Sequence, residues 1–245
     1  MNERETLKIV NGELEIGGIK CSELRKSFGT PLYVMDQTYI ENMCKIYDQT
    51  LKSCYGDGLI CYASKAFSCK EIYRIIKQVG IGADSVSGGE LYTANSVEFP
   101  MEKVCFHGNN KSYDELCMAV KYGVGYIVVD SFAESEMLDK ICKTQNCKQK
   151  VLIRVNPGVE AHTHHFIQTA TVDSKFGFGI ESGEADEIID YIKSKDNLDL
   201  VGLHCHIGSQ IFESKSFLLA VDKMTDYYKR LKDEKNILVF FYVKK

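Results

Sequence analysis

The stretch LICYASKAFSCKEIYRIIKQVGIGADSV, residues 59–86, holds one complete strand–helix–strand unit. Leu59–Ala63 is a short apolar and aromatic run of the kind that forms a buried strand. Lys70–Val79 then places apolar residues three or four apart with charge on the opposite face, which predicts an amphipathic helix. Ala83–Val86 opens the next strand, and a connection of this length lets the two strands lie parallel.

The same rhythm continues in both directions. Pro31–Asp36, Lys103–Phe106, Tyr126–Asp130, Val151–Val155, Asp199–His206 and Asn236–Val243 read as further strands. Tyr39–Lys52, Tyr113–Lys121, Ala133–Lys143, Glu184–Ser194 and Lys215–Lys232 read as outer helices. Repeated units of this kind predict an α/β fold on a parallel sheet, and 245 residues suit one α/β barrel. The first thirty residues break the rhythm. There Leu7–Val10 and Glu13–Ile16 flank Asn11-Gly12, a strong hairpin signal, and a lone hairpin needs a sheet to join.

Composition narrows the function. The net charge of −4 is spread without a basic block, which argues against a nucleic-acid tract or an anionic-membrane anchor. The longest apolar run, Ile237–Val243, is too short to cross a bilayer as a helix. The start, Met-Asn-Glu-Arg-Glu, lacks the basic and then apolar stretches of a signal peptide, so the expected location is the cytoplasm and the expected partner a small molecule. Ten cysteines lie scattered in apolar segments without a Cys-x-x-Cys pair, which predicts reduced, mostly core thiols.

Barrel enzymes work at the C-terminal mouth of the strands. Polar residues gather there: Lys65, Asp84 and Ser87, His107–Asn110, Arg154 and Asn156, and His206–Ser209. They mark either an active site or strand-to-helix turns. Period-two alternation groups Leu59, Cys61, Ala63 and Lys65 on one face, so Lys65 is a candidate nucleophile aimed into the mouth. By position alone, a solvated surface lysine is the commoner case. His162, His164 and His165 form one histidine group, and His204 and His206 another. A His-x-His on a strand suits a metal, with Asp84 or Asp130 as further ligands, as in barrel hydrolases. Alternatively, His206 is a flat ring stacked on an aromatic cofactor, and the following turn, through Ser209, holds a phosphate. Gly88-Gly89 fits a close backbone approach or a tight turn into a helix.

Seven motifs then add up. Phe28-Gly-Thr-Pro-Leu-Tyr-Val-Met-Asp36, Tyr62-Ala-Ser-Lys-Ala66, Ala83-Asp-Ser-Val-Ser-Gly-Gly-Glu-Leu91, His107-Gly-Asn-Asn-Lys-Ser112, Arg154-Val-Asn-Pro-Gly158, Asp173-Ser-Lys-Phe-Gly177 and Gly202-Leu-His-Cys-His-Ile-Gly-Ser-Gln210 resemble the diaminopimelate decarboxylases in order and spacing. The resemblance implies an incomplete pyridoxal-phosphate-binding (β/α)8-type barrel over residues 29–245. Residues 1–28 become an N-terminal β segment, whose companion C-terminal β-domain is absent from these residues. It implies that Lys65 holds pyridoxal 5'-phosphate, His206 stacks on its ring and Ser209 contacts its phosphate. Asp84, Arg154 and the Asn109–Lys111 neighbourhood line the mouth. His165 and Lys175 fall in matching motifs without an assigned step, and no metal is implied. The implied reaction is decarboxylation of meso-2,6-diaminopimelate to L-lysine, by an enzyme that is a homodimer in the full-length family.

The sequence also departs from the family. Its glycine triplet for the phosphate, its Glu-Pro-Gly carboxylate for the pyridine nitrogen, and its late Cys and Tyr are not found after Gln210. The tail Lys235–Lys245 reads like a truncation or a frame change, which predicts weak cofactor binding and poor activity. Two alternatives stand beside the decarboxylase: a non-catalytic protein of the same fold that modulates a partner decarboxylase, and a metal hydrolase using His204 and His206.

Overall fold

The computed structural model describes residues 6–159, 176–209, 211, 214–235, 237 and 240–244. The chain opens with β1 (Leu7–Val10), β2 (Glu13–Ile16) and β3 (Ile19–Lys20), an antiparallel sheet, followed by α1 (Cys21–Phe28). Asn11 and Gly12 turn the hairpin with φ of 53° and 78°, the left-handed values that a two-residue turn needs to match strand twist. This small sheet shares no strand pairing with the large one.

The rest alternates: α2 (Gln37–Tyr55), β4 (Cys61–Ala63), α3 (Lys70–Val79), β5 (Gly82–Ser85), α4 (Gly88–Asn95), β6 (Val104–Phe106), α5 (Tyr113–Tyr122) and β7 (Tyr126–Val129). There follow α6 (Phe132–Thr144), β8 (Gln149–Asn156), β9 (Phe178–Gly179), α7 (Glu184–Lys193), β10 (Leu198–His206), α8 (Ser214–Lys235) and β11 (Phe240–Lys244). The wall runs β4-β5-β6-β7-β8-β10-β11, all parallel, and β9 extends β8 through the pairs Val155↔Phe178 and Asn156↔Gly179. Among the described residues, β4 and β11 are its edges.

Alternation along each strand gives the wall two buried faces. One face, with Ala83, Phe106, Ile127, Ile153 and Leu203, packs against helix residues such as Ile76, Leu91, Leu116, Leu138 and Ile188 in the main core. Each fully buried Leu or Ile there contributes roughly 1.5–3 kcal/mol. The opposite face carries a small apolar floor of Cys105, Val128 and Leu152. Strands β6, β7 and β8 are buried along nearly all their length on both faces, which is why they read as apolar runs.

The polar residues at the strand ends separate into two groups. Ser87, Ser112 and Ser131 are helix caps, each accepting from a backbone N–H three residues on, and Ser87 and Ser112 form full capping boxes with Glu90 and Glu115. Asp84, His107, Arg154, His204 and His206 are buried and cap nothing. The Gly88-Gly89 pair belongs to the first group, because it opens α4, and Glu115 accepts the Gly88 N–H at 2.8 Å.

Pro31–Asp36 departs from expectation. It forms no strand; Leu32–Met35 are exposed and Asp36 caps α2 by accepting from the Tyr39 N–H. A strand needs a ladder partner, and none of the described strands pairs with it. Two helices also escape the periodic pattern, α1 and α4. Helix α1 buries no residue, and α4 buries only Leu91 and Ala94, too few for a recognisable stripe.

All ten cysteines are thiols. Cys44, Cys105, Cys142 and Cys205 are buried, Cys54 is exposed and the other five are intermediate, so fewer are core residues than expected.

Candidate active site at the strand mouth

Strand β4 ends at Ala63, the expected limit, but the strand alternation does not continue to Lys65. Lys65 sits on a 3-10 turn, Ser64–Ala66, and not on the strand face. The turn is pinned from below, because the buried Ser64 hydroxyl donates to the Asp84 carbonyl of β5. Lys65 is exposed, and its Nζ donates to Ser209 Oγ at 3.2 Å. The first and last strands expected to carry the site thus meet across the mouth. Ser209 follows Gly208, whose φ of 146° suits a residue without a side chain, and Gly208 is two residues past the end of β10.

Beneath this contact lies a buried polar layer. Asp84 and His107 are joined by a 2.8 Å hydrogen bond between Oδ1 and Nε2, with both side chains under 5 % exposed. With Asp84 ionised, His107 Nε2 carries the proton and donates. The His107 ring tilts against that of His204, with centroids 4.6 Å apart. His204 stands opposite Arg154 in the β10–β8 register, and His206, two residues on, shares its strand face at the buried end of β10.

Arg154 pairs with Asp130 at 3.4 Å and lies over the Phe176 ring at 4.4 Å. Burial pulls its guanidinium below the usual value, and Asp130 opposes that shift. Asp130 also accepts the Gly177 N–H at 2.6 Å. Lys111 corrects an expectation. Its ammonium does not line the mouth but is buried, donating to the carbonyls of Gly108 and Val128 and to Glu134 Oε1 at 2.6–2.7 Å. Burial pushes the Glu134 carboxyl up, against the pull of Lys111.

His107 is among the polar residues that the sequence places at the strand ends, without an individual role. Glu134 is the residue of this layer that the sequence does not reveal, because it reads as the fourth residue of an ordinary Ser-x-x-Glu cap. His162, His164, His165, Lys175 and Gln210 lie outside the described residues.

Asp84, Cys105 and His107 bring three ligand-type atoms within 4.8 Å of one another. Two ligands of one tetrahedral zinc sit about 3.3 Å apart. The Asp84–His107 separation of 2.8 Å is instead that of a direct hydrogen bond, so the geometry favours a polar pair over a metal centre.

A lysine and a hydroxyl face each other at the strand mouth of this α/β domain, above a buried histidine and carboxylate layer, an arrangement that suits a cofactor site. Residues 39–238 match the family "Pyridoxal-dependent decarboxylase, pyridoxal binding domain", and the chain belongs to that family. It is 44 % identical over 222 residues to the diaminopimelate decarboxylase of Bacillus methanolicus, covering 91 % of this chain and 51 % of that protein. It is 45 % identical over 214 residues to that of Bacillus subtilis, covering 87 % and 49 %. The diaminopimelate decarboxylase of M. jannaschii in co-complex with L-lysine superposes with a TM-score of 0.88 at 33 % identity, covering 98 % of this chain and 56 % of that one. A lysine/ornithine decarboxylase from Vibrio vulnificus, at 20 % identity and a TM-score of 0.69, shares the fold. The chain spans about half the length of the curated relatives it matches.

The family's cofactor is pyridoxal 5'-phosphate, and the mouth fits it. The Lys65 amine, the kind of group that an aldehyde would condense with, lies exposed at the mouth 3.2 Å from the Ser209 hydroxyl, which could donate to a phosphate. No helix among the described residues is long and apolar enough to cross a membrane.

Proposed function

We propose that the chain supplies the cofactor half of a carboxy-lyase that converts meso-2,6-diaminopimelate to L-lysine and carbon dioxide in the cytoplasm. The reading rests on the Lys65–Ser209 contact at the strand mouth, in a chain whose family binds pyridoxal phosphate. When bound, the cofactor supplies an electron sink for the electron pair left by departing carbon dioxide. Lys65 would hold the cofactor through its amine, Ser209 would donate to its phosphate and His206 would pack against its ring. Arg154, fixed by Asp130, keeps a positive charge at the mouth, and Asp84 with His107 forms the polar floor.

Residues 1–28 in this reading belong with a β-domain, residues 29–245 form the barrel, and the working enzyme is a homodimer. These 245 residues contain no Glu-Pro-Gly carboxylate and no glycine triplet. By themselves they are therefore expected to bind the cofactor weakly and turn over slowly. Borohydride reduction of the chain mixed with pyridoxal phosphate should place a pyridoxyl group on Lys65, read by peptide mass, and Lys65→Ala should abolish it. Absence of label on Lys65 overturns the cofactor reading. Carbon dioxide release from meso-diaminopimelate tests the substrate, and vigorous turnover by these residues alone contradicts the expected weakness. Co-purification of an intact decarboxylase without labelling of Lys65 would favour a modulating role.

A further inference from the structure

Lys111 and Glu134 form a buried ion pair 2.7 Å long, with side chains 1 % and 5 % exposed. All three donors of the ammonium are used: Gly108 O in the loop after β6, Val128 O near the end of β7, and Glu134 Oε1 in the first turn of α6. The other Glu134 oxygen accepts the Asp130 N–H at 3.3 Å. Asp130 in turn receives Arg154 on one carboxylate oxygen and the Gly177 N–H on the other. A continuous chain of hydrogen bonds, passing through the Asp130 backbone N–H, therefore runs under the mouth from the end of β6 to the end of β8.

A buried ion pair is a poor stabilising device, because desolvation of both charges offsets most of their attraction. Matched apolar side chains at the same two places are often neutral or better. A fully satisfied network does something else well, which is to hold its members in a single arrangement. Without the pair, the end of β7 loses its tie to the β6 loop and the Asp130 backbone loses a partner. Asp130 then keeps its bonds to Gly177 and Arg154 but loses the backbone anchor that sets where it holds them.

We propose that Lys111 and Glu134 are positioning residues: their ion pair fixes Asp130, and through it the Arg154 guanidinium, in the cofactor mouth, and it serves site geometry and not stability. This rests on the cofactor reading above for its functional half. The structural half can be read without any cofactor.

The test compares Lys111→Met/Glu134→Leu, which replaces both charges by apolar groups of similar size, with Leu138→Ala. Leu138 is fully buried in the same helix and, being apolar, takes no hydrogen bond in the network. Three quantities are measured on the 245-residue chain: the thermal midpoint, the hydrogen-exchange rate of the Gly177 amide, and the Kd and absorption maximum with pyridoxal phosphate. The double variant should keep a midpoint near that of the parent while Gly177 exchange rises about tenfold, the scale of one charge-assisted hydrogen bond. Its Kd should rise by a similar factor and the absorption band of the bound cofactor should move. Leu138→Ala should lower the midpoint and leave Gly177 exchange, Kd and band unchanged. Parental Gly177 exchange in the double variant overturns the proposal. So does a midpoint that falls as far as that of Leu138→Ala, or a failure to fold. If the parent chain binds no pyridoxal phosphate, the cofactor reading fails alone and the Gly177 amide still decides the positioning claim.

Discussion

Lys65 and Gly125 sit at opposite ends of what single residues reveal. Lys65 was visible because a basic residue just past an apolar run is chemically conspicuous. Its route into the site was misjudged, since alternation stops where the strand gives way to the 3-10 turn at Ser64. Gly125 was not visible, because nothing in the sequence marks a close backbone approach. A Cβ added there would lie 1.9 Å from the Glu102 carbonyl, which is backbone and cannot swing aside. Gly125→Ala should destabilise the protein by about 2–3 kcal/mol, measured by urea unfolding; a change under about 0.5 kcal/mol would show that the β6–β7 connection relaxes freely. Cys205 gives a second prediction at this scale. Burial, only partly opposed by Arg154, pushes its thiol up to about 12, so it stays neutral and unreactive in the native protein. At pH 8, iodoacetamide should label Cys54, on the surface, and should reach Cys205 only after denaturant is added.

The elements that could be read from the sequence are those whose two faces differ. Helix α3 matches its expected limits of Lys70 and Val79, and α2, α5, α6, α7 and α8 lie within a few residues of theirs. Their stripes face a continuous core, and the apolar spacing records it. Helix α4 was missed for the opposite reason: its start is fixed by side-chain to backbone bonds, which leave no periodicity. Those bonds also join it to α5, because Glu115 accepts from Ser112 at the head of its own helix and from Gly88 at the head of α4. Burial raises the Glu115 carboxyl and these hydrogen bonds outweigh it, so its folded value is lowered. The stability it contributes is therefore present above its unfolded value, near pH 4.5, and is lost as pH falls. Glu115→Gln should lower the thermal midpoint at pH 7, and the difference from the parent should shrink below pH 4; an equal difference at both pH values would exclude the charge as its source. Ser112→Ala should cost about 1 kcal/mol through the lost cap. Pro31–Asp36 shows the converse limit, because a β-prone segment becomes a strand only beside a partner.

On the scale of the whole molecule, the apolar surface lies unevenly. Ile9, Phe28 and Tyr33, between 72 % and 99 % exposed, sit on or beside the N-terminal hairpin, away from the barrel core. Exposed apolar groups concentrated in this way favour association, so sedimentation velocity should show concentration-dependent self-association that Ile9→Lys/Tyr33→Lys reduces. Unchanged sedimentation in that variant would place the contact elsewhere. Alkaline pH acts on the fold as a whole. Burial raises Cys142 and Cys205 from an ordinary value of 9.0 to about 12, and it raises Tyr227 as well. Because the folded values are raised, the stability these groups contribute is complete below about pH 9 and is lost as pH climbs toward 12. The thermal midpoint should decline steadily across that window, and a flat profile would contradict the burial of these groups. The Lys65–Ser209 contact has a consequence of another kind. Its two residues are 144 positions apart in sequence. On a growing chain the amine emerges long before its hydroxyl partner, and every strand from β4 to β10 must be in place before the two can meet. Closing so long a loop is entropically unfavourable and comes late in folding. Capture of a small aldehyde at Lys65 with phosphate selectivity should therefore trail the appearance of secondary structure, making ligand uptake a clock for completion of the barrel.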